Sequence, residues 1–206
     1  MTRPSFDFLR YLLRRRGPAS SLTAAERNLL GKLALGNRCV VEVGVFEGAT
    51  SAVLANALAE DGCLWLIDPF YRHTRPERLF RLSFSNHIAS RSVRPWRGRV
   101  RFVKQASAAA AAQVKLNSPA ELIFIDADHS YPAVRADFIA WSRHLSTGGL
   151  LAFHDSRVCA ARPDLVKSDG PVQLVDEILR GAYGNWELAT AVDSISVFRV
   201  ATPARP

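Results

Sequence analysis

The chain has 206 residues, 48% of them hydrophobic and 22% charged, which is the balance of an ordinary globular domain with a buried core. This composition excludes an intrinsically disordered protein, and the apolar runs are much shorter than the roughly 20 residues of a membrane-spanning helix. The formal net charge of +8 is uneven, because arginines crowd the segment 72–101 and the stretch 10–16. Such a field could attract an anionic acceptor, a membrane surface or nucleic acid.

The N-terminal part of the chain has the pattern of two helices. The spacing of its apolar residues predicts a first helix from about 5 to 16. Thr23 and Glu26 have the spacing of a capping box, so a second helix is expected from Thr23 to about Leu35. Arg10 interrupts the apolar run of the first helix, which is unlike a secretory signal peptide. We therefore expect a cytoplasmic protein.

Strand and helix signals alternate from residue 39 onward, which favours a mostly parallel sheet covered on both faces. The last two strands look like a hairpin that supplies one antiparallel edge strand. We predict one α/β domain, 1–206, with a doubly wound seven-stranded sheet, a helical N-terminal extension (1–35) and a catalytic core (36–206). The predicted strands are 39–43, 64–67, 100–103, 121–125, 150–153, 186–191 and 195–200. The predicted helices of the core are 50–59, 107–114, 131–145 and 172–179.

The loop after the first predicted strand is a candidate ligand-binding turn. It reads EVGVFEGATS over 42–51, and Gly44 and Gly48 would let the backbone turn sharply and approach a ligand. Ser51 lies near the start of the next helix, whose free amides face the same place. The G-x-G-x-x-G dinucleotide fingerprint is absent. In open α/β sheets ligands bind beyond the carboxyl ends of the strands, which is where this loop lies.

Two further polar residues follow predicted strands. Asp68 ends the second strand, where an acid can accept hydrogen bonds from both hydroxyls of a ribose. The alternative is an acid that only caps a turn before Pro69. Ser107 follows the third strand, where it could lie beside a ligand, cap its helix, or do both.

The spacing of Glu42, Gly44 and Gly48 resembles motif I of class I methyltransferases, whose loop wraps the methionine end of S-adenosylmethionine. The combination of DADHSY at 126–131, GG at 148–149 and HD at 154–155 is similar to a family of small methyltransferases that includes sugar and natural-product O-methyltransferases. The resemblance covers about 39–156 and implies a Rossmann-like methyltransferase fold and S-adenosylmethionine as cofactor. The donor-binding residues that it implies are Glu42, Gly44, Phe46, Gly48, Ser51, Asp68, Ser107 and Asp126.

The same resemblance implies a divalent metal site, because several relatives hold magnesium at the ends of strands four and five. Asp126, His154 and Asp155 occupy the matching positions. His154 departs from the acid usual in relatives, and imidazole suits zinc or manganese better than magnesium, so Mg, Mn and Zn all stay open. The competing hypothesis assigns catalysis to His129 or His154 as general base, together with Asp126. A third alternative has His129 and Asp128 bonded only to loop backbone.

The expected partner is a small-molecule acceptor, anionic or sugar-containing, methylated on oxygen. A homodimer is also expected. An alternative function is methylation of nucleic acid through the arginine-rich segment 72–101, which ranks lower because that segment has few aromatic residues. The non-enzymatic alternative is a membrane-surface or partner-binding module that uses the basic helix 5–16.

Overall fold

The computed structural model describes residues 3–200, which form one seven-stranded sheet with helices on both faces. The ends of the predicted domain, 1–2 and 201–206, lie outside the described residues. The strands are Cys39–Val43 (β1), Cys63–Ile67 (β2), Val100–Val103 (β3), Ala120–Ile125 (β4), Leu145–Phe153 (β5), Trp186–Val192 (β6) and Ile195–Val200 (β7). The helices are Arg3–Leu12 (α1), Ala24–Ala34 (α2), Ala49–Ala57 (α3), Arg75–Leu79 (α4), Phe84–Ser92 (α5), Ser107–Gln113 (α6), Tyr131–Ser142 (α7) and Gly170–Leu179 (α8), with a short 3-10 turn at Arg94–Trp96.

The order of the strands confirms the predicted doubly wound fold. The sheet runs β3-β2-β1-β4-β5-β7-β6, and the pairs among β1 to β5 are all parallel. β7 is antiparallel to both of its neighbours, so the C-terminal hairpin supplies the antiparallel strand and β6 takes the outer edge. The residues of β1 are all buried, because helices cover both faces of the sheet. The carboxyl ends of the parallel strands therefore meet at one edge.

The first helix is shorter than its apolar spacing predicts. It ends at Leu12 rather than near Arg16, and Arg14 takes the left-handed backbone conformation with φ 55°. The Arg16 side chain then turns back onto Glu47, which lies in the loop after β1. The helix thus ends in a local cap, in which the amides of Arg14 and Arg15 donate to the carbonyls of Tyr11 and Arg10, and the chain beyond it is held by the contact with Glu47. The second helix agrees with its predicted capping box, because both reciprocal hydrogen bonds of Thr23 and Glu26 are present.

The fifth strand is longer than predicted and the helix before it is shorter. The strand begins at Leu145, not at Leu150, so Gly148 and Gly149 lie within β5 rather than ahead of it. Leu145 pairs with Ala120 and packs on the core, and a register shift between Ala120 and Leu122 accommodates the glycines. This early pairing ends α7 at Ser142 instead of about residue 145.

The segment between β2 and β3, for which the sequence predicts no structure, folds as α4, α5 and the 3-10 turn. The ring of Phe84 in α5 stacks on the ring of Phe8 in α1 with their centroids 4.1 Å apart. This contact joins the N-terminal extension to the core. No helix within residues 3–200 is long and apolar enough to span a bilayer.

Candidate active site

A cavity of about 850 Å³ opens at the carboxyl ends of β1, β2 and β4. One part is lined by residues that directly follow these strands, among them Gly44, Asp68 and Asp126. The other part is lined by α1 and by the segment between β2 and β3. Its wall residues include Pro4, Asp7, Phe8, Tyr71, His73, Glu77, Phe84, Ser85 and Ile88.

The loop of residues 44–48, here called the glycine loop, needs both of its glycines. Gly44 has φ 89°, and a Cβ there would overlap the carbonyl of Asp126 and lie 2.8 Å from the Cα of Ala127. Gly48 has φ 73°, and a Cβ added there would lie 2.9 Å from the Cα of Ala89 in α5. Side chains are disfavoured at such φ values and cannot fit in such space. The loop therefore lies directly against the backbone that carries Asp126.

Glu42 and Ser51 lie beneath the glycine loop and do not line the cavity. The Ser51 hydroxyl donates a hydrogen bond of 2.5 Å to the Glu42 carboxyl, and both side chains are buried. Burial raises the pKa of Glu42 well above its usual value, although the bond from Ser51 opposes this rise. The two residues support the loop from below, whereas Phe46, with φ 51°, is 58% exposed at the cavity wall.

Asp68 lines the cavity and also holds the glycine loop. One carboxylate oxygen accepts hydrogen bonds from the amides of Val45 (2.9 Å) and Phe46 (3.2 Å), and the other accepts from Phe70 (2.6 Å). The turn-capping role and a place in the cavity are thus both present. Ser107 lines the cavity as the first residue of α6, and Ala106 is the N-cap residue instead.

The N-terminal extension is fixed to the glycine loop through Glu47. The Arg16 guanidinium donates two hydrogen bonds to the Glu47 carboxylate, at 2.5 and 2.8 Å, and the amide of Ala19 adds a third at 2.6 Å. Arg16 also donates to the carbonyl of Asp7 in α1. The sequence patterns missed this bridge, because nothing in the spacing of Arg16 and Glu47 distinguishes them from solvated charges.

Asp126, His129 and His154 come together where β4 and β5 end, and we call them the histidine cluster. One oxygen of Asp126 lies 3.1 Å from Nδ1 of His154 and 3.3 Å from Nε2 of His129. His154 is fully buried, whereas the side chain of His129 is 44% exposed. Asp126 also lines the cavity, so it joins the histidine cluster to the glycine loop.

Glu26, which the sequence did not single out for the site, contacts the cluster from behind, and so does Asp155, which it did. The carboxylate of Glu26 lies 3.6 Å from Nε2 of His154, and Glu26 accepts hydrogen bonds from the amide and hydroxyl of Ser194. Asp155 is bonded to the guanidinium of Arg162 and lies 3.2 Å from the hydroxyl of Ser194. The capping box was the one sequence signal at Glu26, and it predicts a helix start rather than a site.

The other members of the D-x-D-H-x-Y motif shape the loop. Asp128 accepts a hydrogen bond of 2.7 Å from the amide of Ser130, in agreement with the loop-backbone alternative for this residue. The Tyr131 hydroxyl donates to Glu177, which joins α7 to α8. His129, in contrast, faces carboxylates on both of its ring nitrogens.

Comparison with known proteins agrees with this geometry. Residues 41–156 match the protein family described as the methyltransferase domain. The chain belongs to this family. The predictions of a class I methyltransferase relationship and of a methyltransferase enzyme are therefore confirmed. No curated protein sequence matches the methyltransferase significantly.

Solved structures share the fold of this methyltransferase at low sequence identity. The O-methyltransferase TomG from Streptomyces achromogenes, involved in tomaymycin synthesis and solved in complex with SAM, is 20% identical with a TM-score of 0.65, over 98% of this chain and 91% of TomG. An O-methyltransferase from Bacillus cereus in complex with SAH is 18% identical with a TM-score of 0.63, over 96% of this chain and 91% of that one. A methyltransferase from Geobacter sulfurreducens is 16% identical with a TM-score of 0.61, over 98% and 90%.

The electrostatics of the methyltransferase site favour positive charge on the histidine cluster. Burial opposes a charged His154, but the hydrogen bond to Asp126 and the nearby carboxylate of Glu26 outweigh burial and raise the pKa of His154 to about 10. Burial raises the pKa of Asp126, but the hydrogen bonds to His129 and His154 outweigh burial and lower this pKa to about 2. The hydrogen bond to Asp126 raises the pKa of His129 above its usual value.

The residues present fit a divalent metal, although not the complete set that the resemblance implies. The ligand atoms of Asp126, His129 and His154 all lie within 4.8 Å of one another. Of the predicted set, Asp126 and His154 are thus brought together, and Asp155 lies 3.5 Å from Nδ1 of His154 through an oxygen that Arg162 already holds. Two imidazoles and one carboxylate suit zinc or another transition metal better than magnesium, which prefers oxygen ligands.

Proposed function

We propose that the protein is an S-adenosylmethionine-dependent O-methyltransferase that acts on a small-molecule acceptor. The observation that carries this proposal is the position of Asp126, which lines the cavity beside the glycine loop and belongs to the histidine cluster. Asp126 thus links the glycine loop, which would hold the methyl donor, to the histidine cluster, which would accept the proton of the acceptor. The structures of TomG with SAM and of the Bacillus cereus enzyme with SAH support the identity of the donor.

In this proposal the donor lies in the part of the cavity formed by the strand ends. The glycine loop brings its backbone close to the methionine end, and the Asp68 carboxylate accepts a hydrogen bond from a ribose hydroxyl beside those from Val45, Phe46 and Phe70. Ser107, the first residue of α6 after β3, lies beside the adenine. Glu42 and Ser51 act indirectly, because they hold the loop from beneath.

The acceptor occupies the part of the cavity under α1. Its wall is mostly apolar and aromatic, with Phe8, Tyr71 and Phe84 among its residues. None of the arginines of the segment 72–101 lines the cavity, and the guanidinium of Arg16 is already paired with Glu47. This favours an acceptor with an apolar body over the anionic acceptor expected from the net charge.

Methyl transfer is an in-line displacement in which the acceptor oxygen bonds the methyl carbon while the carbon–sulfur bond breaks. The sulfur keeps the electron pair, which yields S-adenosylhomocysteine, and the hydroxyl proton must leave the oxygen. Holding the two reactants close and aligned supplies much of the acceleration. In this proposal the proton leaves toward the histidine cluster, in which Asp126 lines the cavity and His129 is the more exposed histidine. A divalent metal bound there would lower the pKa of the hydroxyl.

Calorimetric titration with S-adenosylmethionine and S-adenosylhomocysteine tests the donor site. We expect both to bind the parent protein and to bind Asp68→Asn at least tenfold more weakly, because the amide nitrogen cannot accept hydrogen bonds. Asp61→Asn is the matched control, since Asp61 is exposed and lies outside the cavity. Failure of folded parent protein to bind either ligand would overturn the proposed function.

A second experiment addresses the acceptor. Purified protein is incubated with methyl-labelled S-adenosylmethionine and a panel of hydroxyl compounds that differ in charge and in apolar area. We expect label transfer to uncharged acceptors with an apolar body, and less transfer to their phosphorylated counterparts. A preference for the phosphorylated compounds would contradict the assignment of the apolar wall.

A further inference from the structure

The geometry points to a two-histidine, one-carboxylate site for a divalent transition metal at Asp126, His129 and His154, with Asp155 behind the site rather than in it. This inference rests on the proposed function, because it concerns how the same site handles the acceptor. It differs from the metal site that the resemblance implies in one ligand and in the class of metal.

The three ligand atoms converge on one point. Nε2 of His129 and Nδ1 of His154 both approach the same oxygen of Asp126, at 3.3 and 3.1 Å. Neighbouring ligand atoms around a metal with bonds of about 2.0–2.1 Å are separated by a similar distance. The partial exposure of His129 and Asp126 leaves an open side for an acceptor oxygen.

Each histidine also has a carboxylate behind its other ring nitrogen. Nε2 of His154 lies 3.6 Å from Glu26, and this buried nitrogen makes no hydrogen bond in the part of the chain that the structure describes. Nδ1 of His129 lies 3.6 Å from Asp155. A metal-bound histidine commonly donates its second N–H to a carboxylate, which fixes the ring and strengthens the ligand. Both imidazoles therefore have the surroundings of metal ligands.

Asp155, in contrast, is poorly placed to bind a metal. One of its oxygens lies 3.5 Å from Nδ1 of His154 but already accepts hydrogen bonds from Arg162 and Ser194, and the other oxygen faces His129. Its backbone is in the left-handed region, with φ 49°. These contacts assign Asp155 to orienting His129 and leave Asp126 as the carboxylate ligand.

A divalent cation bound to neutral imidazoles would supply the positive charge that the protonated imidazoles supply in its absence. Asp126, Asp155 and Glu26 then carry three negative charges, against one positive charge on Arg162, so two negative charges remain unbalanced. All three acids are largely buried and screened from solvent. A bound divalent cation balances this excess, and two nitrogen ligands favour zinc or cobalt over magnesium.

Titration of the metal-free parent protein with Co²⁺, followed by its visible d–d absorption, tests the site without any assay of activity. We expect a saturable cobalt spectrum that Zn²⁺ displaces and that a large excess of Mg²⁺ leaves in place. His129→Ala and His129→Gln should abolish the spectrum. His144→Ala is the matched control, because His144 lies outside both the cluster and the cavity.

Variants of the two orienting carboxylates distinguish the two ligand sets. Asp155→Asn and Glu26→Gln should weaken Co²⁺ binding by roughly 10–100-fold while the spectrum at saturation is retained. Loss of the spectrum in Asp155→Asn together with its persistence in His129→Gln would overturn the inference. Circular dichroism and melting temperature establish that each variant is folded.

The parent protein alone also decides the metal class. Tighter binding of Mg²⁺ than of Zn²⁺, or no metal binding at all, would overturn the inference, and the second result would favour His129 as a general base. Titration of the same samples with S-adenosylhomocysteine separates the two failures. Donor binding without metal binding refutes the metal site alone, whereas loss of donor binding refutes the proposed function.

Discussion

Replacing Gly44 with alanine tests how tightly the glycine loop is held against Asp126. The same change at Gly148 is the control. Both glycines have positive φ, 89° and 77°, so alanine costs about 1–2 kcal/mol of conformational energy at either position. Within residues 3–200 no atom lies within 4 Å of a Cβ added at Gly148, whereas a Cβ added at Gly44 would lie 2.8 Å from the Cα of Ala127. Carbon atoms in contact keep about 3.5–4.0 Å, so the loop or Asp126 must move by roughly 1 Å.

A displacement of this size matters at a site where donor and acceptor must be aligned. Misplacement by about 1 Å can lower the rate roughly 100-fold, and we expect this loss in Gly44→Ala. Its affinity for S-adenosylmethionine should also fall. Gly148→Ala should keep the parent's affinity and rate, and lose only stability.

The assays are calorimetry with the donor, turnover with an acceptor, and thermal unfolding. For a protein of this size about 1 kcal/mol corresponds to a Tm change of roughly 2–4 °C, so Gly148→Ala should melt about 2–8 °C below the parent. Gly44→Ala should melt at least as low. Equal donor affinity and rate in the two variants would refute the reasoning from the close contact of the loop with Asp126.

Three other predictions concern the surroundings of the site. Arg16→Met leaves the buried carboxylate of Glu47 without its partner, so we expect a loss of about 3–5 kcal/mol in urea unfolding and faster amide exchange in α1. Burial raises the pKa of Glu77, but backbone hydrogen bonds outweigh burial and hold this pKa below the usual 4.5. In unfolding curves, Glu77→Gln should therefore be less stable than the parent at neutral pH, and the difference should shrink as the pH falls below 4.5. In Gly170→Ala the added Cβ would overlap the carbonyl oxygen of His129. We therefore expect the rate of methyl transfer, measured by turnover, to fall more than the affinity for S-adenosylmethionine, measured by calorimetry.

Much of the sheet could be predicted because its signals are local. Runs such as Cys39–Val43 and Ala120–Ile125 are short, apolar and followed by helical segments, and this pattern by itself indicates buried parallel strands. The predictions failed at the boundaries of two elements, where other contacts outweigh apolar spacing. The first helix ends at Leu12, ahead of the left-handed Arg14, and is followed by the Arg16 contact with Glu47, and β5 begins early where Leu145 pairs with Ala120.

The residues of the site likewise divide into those that the sequence predicts and those that only tertiary contacts reveal. Gly44, Gly48, Asp68 and Asp126 could be found from the sequence, because each follows a strand and the ends of parallel strands meet at one edge. His129 and His154 belong with them for the same reason. The function of these residues remains a proposal, but their meeting place was determined by the order of elements along the chain.

Only the tertiary structure decided what lies behind the histidines. Glu26 and Ser194 are 168 positions apart, and they meet because α2 packs against the turn of the C-terminal hairpin. The pairing of Arg162 with Asp155 depends in the same way on the path of the chain after β5. Local periodicity describes which face of an element is buried, but it carries no information about which distant charge a buried side chain contacts. In this protein such contacts, rather than the motif residues alone, decide whether the cluster suits a metal and which one.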